Sequence, residues 1–412
     1  MKRRDLVLGA TVGAAVLATR NAHAAPKTVS IWHIYSSPAD MIHLGMARFN
    51  ASHKDYVLQQ RVIPYTQINP ELIRALATGT PPDLVVINDP DLCSYASQGQ
   101  FTDLTDRVAA SKVIDESKFF KGPQRSDHWR GRQYSVAREM NTVSLYYNAD
   151  MFRAKGLDPD KPPATWSELK TAAAKLTDPA NHVFGLGFCA HFSEQSTFQF
   201  LPFLWQAGGA MDKLDQPEAT EALSFWTRFV DAGQTSRDVI NQPQAEVVSS
   251  FLAGNYAMAV GGPWELPRFK TDAKFDWRVA LLPIHDVKKI AVSSLGGFHF
   301  AIPTGAQHVD AAFRVIETML EPPLFQQGWD VGGLLPPLDD IVVQQPNWPQ
   351  AYATFRAQLP TARQRGPHPQ WSQLSRPLQT AIQQALTNSL SPHAAMQQAA
   401  VKVAPILAKT PL

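Results

Sequence analysis

Thr28-Val29-Ser30-Ile31-Trp32-His33-Ile34 is the stretch on which the fold turns. Its β-branched and apolar residues predict a strand buried on both faces. Ser37-Pro38 follow as an N-cap and first-turn proline, and Ile42, Met46 and Phe49 then recur at helical spacing. A second strand is expected over 56–62, a helix over 70–78 and a third strand over 84–87. This βαβαβ order predicts a parallel sheet flanked by helices.

The alternation resumes further along. A strand is expected over 143–147, and Thr165-Trp166-Ser167-Glu168 has the form of a capping box opening a helix to about Leu176. Amphipathic segments 218–232 and 245–253 end at Gly233 and Gly254, which suit left-handed helix ends. Strands are expected over 256–260, 278–282 and 298–302, then a helix over 309–320 and two more between 374 and 407. Pro322-Pro323 and Pro336-Pro337 punctuate the region between. With no repeat, heptad or long low-complexity linker, the expected architecture is two α/β lobes, each a mainly parallel sheet flanked by helices.

The chain has 412 residues, 44% hydrophobic and 18% charged, an ordinary globular composition. Its ends differ in character. Lys2-Arg3-Arg4 precede the short apolar run 6–18, and Ala22-His23-Ala24 has the small-x-small form of a cleavage site, so residues 1–24 are expected to be a signal peptide. Arg3-Arg4 also resemble a twin-arginine signal, and the segment fits that route and the general secretory one alike. Lys2, Arg3, Arg4 and Arg20 against Asp5 give this leader +3; subtracting it from the chain's +2 leaves −1. A near-neutral chain without a basic stripe carries no footprint for nucleic acid. No cysteine lies near Ala24 to carry a lipid anchor, so a soluble periplasmic product is expected. The two cysteines, Cys93 and Cys189, are expected to be free thiols.

Catalytic signatures are missing from the sequence: there is no G-x-S-x-G, G-x-x-x-x-G-K-[ST], H-E-x-x-H or C-x-x-C. Gly185-Leu186-Gly187 lacks the rest of a dinucleotide fingerprint, and the histidines have no metal-ligand spacing. No catalytic residue, metal or cofactor is expected. A pair of glycosidase carboxylates meets only in space, so an exported glycan-active enzyme stays open as an alternative.

Several blocks, read in order, resemble one family. Ala77-Thr78-Gly79-Thr80-Pro81-Pro82-Asp83 leads into Leu84-Val85-Val86, and Gln98-Gly99-Gln100-Phe101-Thr102-Asp103-Leu104 follows. Leu145-Tyr146-Tyr147-Asn148-Ala149-Asp150-Met151-Phe152 precedes Lys155-Gly156-Leu157 and Pro162-Pro163-Ala164-Thr165-Trp166. Gly261-Gly262-Pro263-Trp264, Gly296-Gly297-Phe298, Ala301-Ile302-Pro303 and Gly333-Leu334-Leu335-Pro336 complete the set. Together they resemble the extracellular solute-binding proteins of carbohydrate ABC importers, family 1, the maltose-binding-protein-like group. The resemblance implies the type II two-lobed periplasmic-binding fold, with three hinge crossings near 138–141, 290–293 and 336–337. It divides the mature chain into an N-terminal lobe of 25–138 plus 293–336 and a C-terminal lobe of 139–292 plus 337–412. It also implies a monomer that binds a sugar between its lobes and passes it to membrane permease subunits. A glycerol phosphate, phosphodiester or polyol remains an alternative ligand, with Arg138, Arg268 and Arg365 as its anchors.

Sugars present apolar C–H faces ringed by hydroxyls, so their sites combine aromatic platforms with oriented amides and carboxylates. Trp264 is the strongest platform candidate, and Tyr35 and Ser36 occupy the first loop after a strand. Asn88 and Asp89 follow the third strand, and Asn141 lies at the first crossing with Met140 beside it. Phe198 and Gln199 are candidates from the second lobe, although one of Phe198 and Phe200 is expected in the core. Gly296 and Gly297 would admit a close backbone approach, and Trp371 completes the set. Ile87 stands where the group's maltose binder stacks a tryptophan, so maltose is not singled out.

The leader yields the first test. Mass spectrometry of the periplasmic fraction should find a mature N-terminus at Ala25. Replacing Arg3 and Arg4 together by lysine should stop export only if the twin-arginine route is used.

Overall fold

A computed structural model describes residues 25–35, 40–341 and 347–410. The expected signal peptide and Ser36, Ser37 and Pro38 lie outside them. The helix predicted after the first strand runs over Met41–Ser52, where Asp40 caps it by accepting from the Ile42 N–H at 2.8 Å.

Strand β1 (Lys27–His33) pairs in parallel with β2 (Tyr56–Val62) and β3 (Leu84–Asn88). All five residues of β3 are buried, as a central apolar strand requires. In β1, by contrast, Val29, Ile31 and His33 are buried, while Trp32 is half-exposed beneath the Arg61 guanidinium. The expectation of a strand buried on both faces therefore holds only in part: Ser30 and Trp32 on the second face are partly exposed, although Trp32 packs against an apolar cluster. β9 (Phe298–Ala301) pairs antiparallel with β3, and β4 (Ser135–Ala137) antiparallel with β9, completing the order β2-β1-β3-β9-β4. Apolar clusters cover both faces of this sheet.

The second lobe is built around β5 (Ser144–Asn148), flanked by β6 (Met258–Gly261) and β7 (Trp277–Ala280), both antiparallel to it. A mainly parallel sheet was expected here, and the structure corrects that. Parallel pairing in this lobe includes bridges from Phe184 and Gly187 to Tyr256 and Ala259, beside β6, and a separate two-stranded ladder between 293–295 and 362–364. The long segment between β5 and β6 left the direction of their pairing open. A large aromatic core, including Tyr146, Phe188, Phe203 and Trp226, fills this lobe.

Local signals are realised closely. Thr165 and Glu168 form the reciprocal capping box, and the helix spans Trp166–Leu176. The two C-terminal helices are Trp371–Leu386 and Pro392–Leu407. Several helices were not anticipated, among them two near the third passage: Pro322-Pro323 opens Pro322–Gly332 rather than a loop, and Pro349–Gln358 packs near β7. Proline in the first turn lacks only an N–H that has no helical partner anyway. Cys93 and Cys189 are both free and buried, and burial pushes both thiols up to about 12.

The chain passes between the lobes along three adjacent segments. Asn141 and Gly296 exchange backbone hydrogen bonds of 2.8 and 2.9 Å, and the Met140 N–H donates to the Leu335 carbonyl at 2.9 Å. β8 (Ser293–Leu295) still pairs with β10 (Ala362–Gln364), and Leu295 belongs to the second core. At the third passage Phe120 N–H donates to the Pro337 carbonyl, and Leu338 packs in the first core. Leu295 and Leu335 thus pack in the second core, and Leu338 and Ile341 in the first.

A Cβ on Gly297 would lie 2.3 Å from the Glu139 carbonyl oxygen, on backbone that is itself part of a passage. Gly297→Ala should lower unfolding stability by about 1–3 kcal/mol through this overpacking. A denaturant midpoint equal to the wild type would show that the passages give way freely.

Candidate functional site

A cavity of about 530 Å³ opens between the lobes, within the ~300–1,000 Å³ range of small-molecule sites. The first lobe contributes Tyr35 from the end of β1, Tyr65, Asn88 from the end of β3, and Phe298 from the start of β9. The second contributes Gln195 and Phe198 from the helix Glu194–Gln206, Gln244, and Trp264 after β6. Asn141 lines it from the first passage, and Arg365 from just beyond β10.

Trp264 owes its place to Gly262. A Cβ there would overlap the indole at 2.0 Å, so the absence of a side chain lets the ring fold back over the backbone. The indole meets the Phe198 ring at 6.1 Å between centroids with a 43° tilt, making an angled aromatic wall. Its Nε1–H donates to Glu265 Oε1 at 3.0 Å, and Glu265 Oε2 accepts from Arg268 Nη1 at 3.0 Å. Burial raises the Glu265 pKa, against the pull of Arg268.

Polar groups face this wall from the other lobe. Asn88 Nδ2 donates to the Tyr65 hydroxyl at 3.1 Å, and Arg365 Nη2 reaches Asn88 Oδ1 at 3.5 Å, across the cleft. Below them, Arg138 is wholly buried and donates to Asp40 at 3.0 Å and to Glu139. Its guanidinium lies 4.0 Å from the Tyr35 ring centroid. Burial pushes Glu139 up to about 7, although Arg138 opposes the shift. Gln244 Nε2 is buried without a hydrogen-bond partner and lines the cavity.

Of the residues singled out from the sequence, Tyr35, Asn88, Asn141, Phe198 and Trp264 line the cavity. Ser36 lies outside the described residues. Gln199 points elsewhere: its carbonyl accepts from Cys189 N–H at 2.7 Å, and its amide donates to the Val260 carbonyl at 3.1 Å. Gly296 and Gly297 serve the passages, where a Cβ on Gly296 would collide with Asn141 and the Phe198 ring. Met140 is buried in the second core rather than on the cavity wall. Trp371 is core as well, donating its Nε1–H to Glu194 at 2.9 Å. Tyr65, Gln195, Gln244, Glu265 and Phe298 were not anticipated, and sequence spacing held no signal for them.

Asp89 turns away from the cavity toward His299. That imidazole sits between Asp127 at 2.8 Å and Asp89 at 3.4 Å, fully buried. Burial disfavours its charged form, but Asp127 and Asp89 outweigh this and raise it to about 9. Among the described residues, no group of His, Cys, Asp and Glu could hold a metal ion, and no helix is long and apolar enough to cross a membrane.

Residues 46–357 match the model of the bacterial extracellular solute-binding proteins. The chain belongs to that family. It is 24% identical over 375 residues to a protein of Brucella abortus (strain 2308) named for binding alone, covering 88% of each. It is 25% identical over 273 residues to the sn-glycerol-3-phosphate-binding periplasmic protein of Escherichia coli (strain K12), covering 62% of this chain and 61% of that one. Its fold matches a Thermotoga lettingae TMO ABC transporter solute-binding protein bound with alpha-D-tagatose. The TM-score is 0.83 at 26% identity, over 92% of this chain and 100% of that one.

The His299 cluster carries a pH dependence. A raised folded pKa means that its contribution to stability is complete below the unfolded value of about 6.5 and lost as pH rises through about 9. The stability difference between wild type and His299→Gln should therefore shrink from pH 6 to pH 9.5 in denaturant titrations. A difference that stays constant over that range would refute a protonated His299.

Proposed function

We propose that this protein is the periplasmic binding component of an ABC importer, capturing a sugar or oligosaccharide between its lobes as a monomer. One jaw would comprise 25–138 and 296–340, and the other most of the remaining chain. The observation that carries this reading is the angled Phe198–Trp264 wall facing the Tyr65–Asn88 pair across one cavity. Aromatic faces cover the C–H surface of a pyranose while amide and hydroxyl groups orient its hydroxyls. The tagatose-bound relative is consistent with this chemistry. The ligand would leave the site unaltered for transfer to permease subunits. A glycerol phosphate is the second reading, supported by the E. coli relative and by Arg268 and Arg365 on the cavity wall.

Thermal-shift screening of the mature protein against neutral sugars, oligosaccharides and polyols should find a stabilising ligand. Chromatography after long incubation should recover that ligand unchanged; accumulation of a product would make the protein an enzyme. Trp264→Ala should keep a near-native Tm without ligand yet weaken binding tens of fold, about 2 kcal/mol. A large loss of ligand-free stability with affinity retained would reduce Trp264 to packing.

A further inference from the structure

Three guanidiniums stand at or behind the cavity wall, and each is already matched to carboxylates. Arg365 is buried, with Nη1 donating to Glu194 Oε1 at 2.9 Å and its plane 4.4 Å from the Phe198 ring centroid. Glu194 is held in turn: Oε1 also accepts from Trp371 Nε1 at 2.9 Å, and Oε2 from Ser375 Oγ at 2.6 Å. Arg268 donates to Glu265, to the Ala245 carbonyl at 2.9 Å and to Ser249 Oγ at 2.6 Å. Arg138 is held between Asp40 and Glu139. Among the described residues no lysine lines the cavity, and His299 behind Asn88 has Asp89 and Asp127 as its own counter-ions.

A phosphate ester carries up to two negative charges and is recognised by donors whose positive charge is not already neutralised. Here each of the three guanidiniums already has a carboxyl partner, and the buried pairs are screened little by solvent. An anion entering the cavity would meet guanidiniums already paired to carboxyl groups rather than a free cation. A neutral polyol meets no such barrier, since its hydroxyls can share dipoles without displacing an ion.

We propose that Glu194 and Glu265 are specificity-determining residues that act as built-in counter-ions to Arg365 and Arg268, reserving the cavity for an uncharged ligand and rejecting phosphate esters. This rests on the reading of the cleft as a carbohydrate site, and it selects among that site's substrates by charge. Exclusion of a wrong partner through an unfavourable charge is a general route to specificity.

Isothermal titration of the wild type, Glu194→Gln and Glu265→Gln with sn-glycerol 3-phosphate and inorganic phosphate tests it, with circular dichroism to confirm folding. The wild type should bind neither anion measurably. At least one folded variant should gain about tenfold or more in affinity for an anion, because it frees a guanidinium without adding bulk. Wild-type binding of glycerol 3-phosphate as tight as that of any neutral sugar would overturn the proposal, and so would folded variants that gain nothing. If the wild type binds no neutral sugar, the carbohydrate reading falls by itself, and a gain in the variants would still support the counter-ion role. Should neither variant fold, the wild-type comparison of anion with neutral sugar decides alone.

Discussion

The three chain passages between the lobes are the constraint on which the rest of the structure depends. They lie edge to edge, with Asn141 bonded to Gly296 and Met140 to Leu335 through their backbones. Such contact leaves no space for side chains at Gly296 and Gly297, where a Cβ would meet Asn141 Oδ1 at 2.5 Å and the Glu139 carbonyl at 2.3 Å. The same tightness positions the cavity. Asn141 lines it directly, and Phe198 packs against the space at Gly296. Arg138, on the same passage, ties Asp40 at the start of the helix Met41–Ser52 to Glu139. Removing one member of such a buried set leaves a charge unpaired and costs about 3–5 kcal/mol, so a local change at this floor reaches the hinge.

From this floor the two walls diverge in chemistry. The second lobe offers rings, Phe198 and Trp264, fixed by a helix and by the fold of the indole over Gly262. The first lobe offers Tyr65 and Asn88, joined to each other by a hydrogen bond before any solute arrives. Preorganised groups lose little side-chain freedom on binding, which limits one of the main costs of association. The ion pairs work in the same direction by keeping Arg268 and Arg365 from sampling the open cavity.

Much of this was legible where the signal is local. The Thr165–Glu168 capping box, the helix ends at Gly233 and Gly254, and the strand ends that carry Tyr35, Asn88 and Trp264 depend on neighbours within a few residues. The direction of β6 and β7 was not legible, because a long connection permits either pairing. Phe198 and Gln199 show the limit within one helix. Successive positions point about 100° apart, so one reaches the cavity while the next is turned to Val260. Trp371, offered from its place in the C-terminal region, instead serves Glu194 from within the core. Tyr65, Gln195, Gln244 and Glu265 come from four separate segments, and only tertiary packing brings them together.

Because each lobe supplies only half of the lining, the full set of contacts exists only while the lobes face each other closely. A solute can favour that arrangement only by the interactions it gains there and lacks in an open one. The protein's own side chains already contribute across the gap: Arg365 reaches Asn88, and the Gln364 amide donates to Ser126. The first of these is long at 3.5 Å, and a weak bond of this kind biases an equilibrium without fixing it. That balance suits a transport component. Cross-cleft contacts strong enough to lock the lobes together would hinder entry and release, whereas their complete absence would make the solute carry the whole conformational cost and lower its apparent affinity. Arg365 sits where both demands meet, anchored to Glu194 in its own lobe and only lightly engaged with the other.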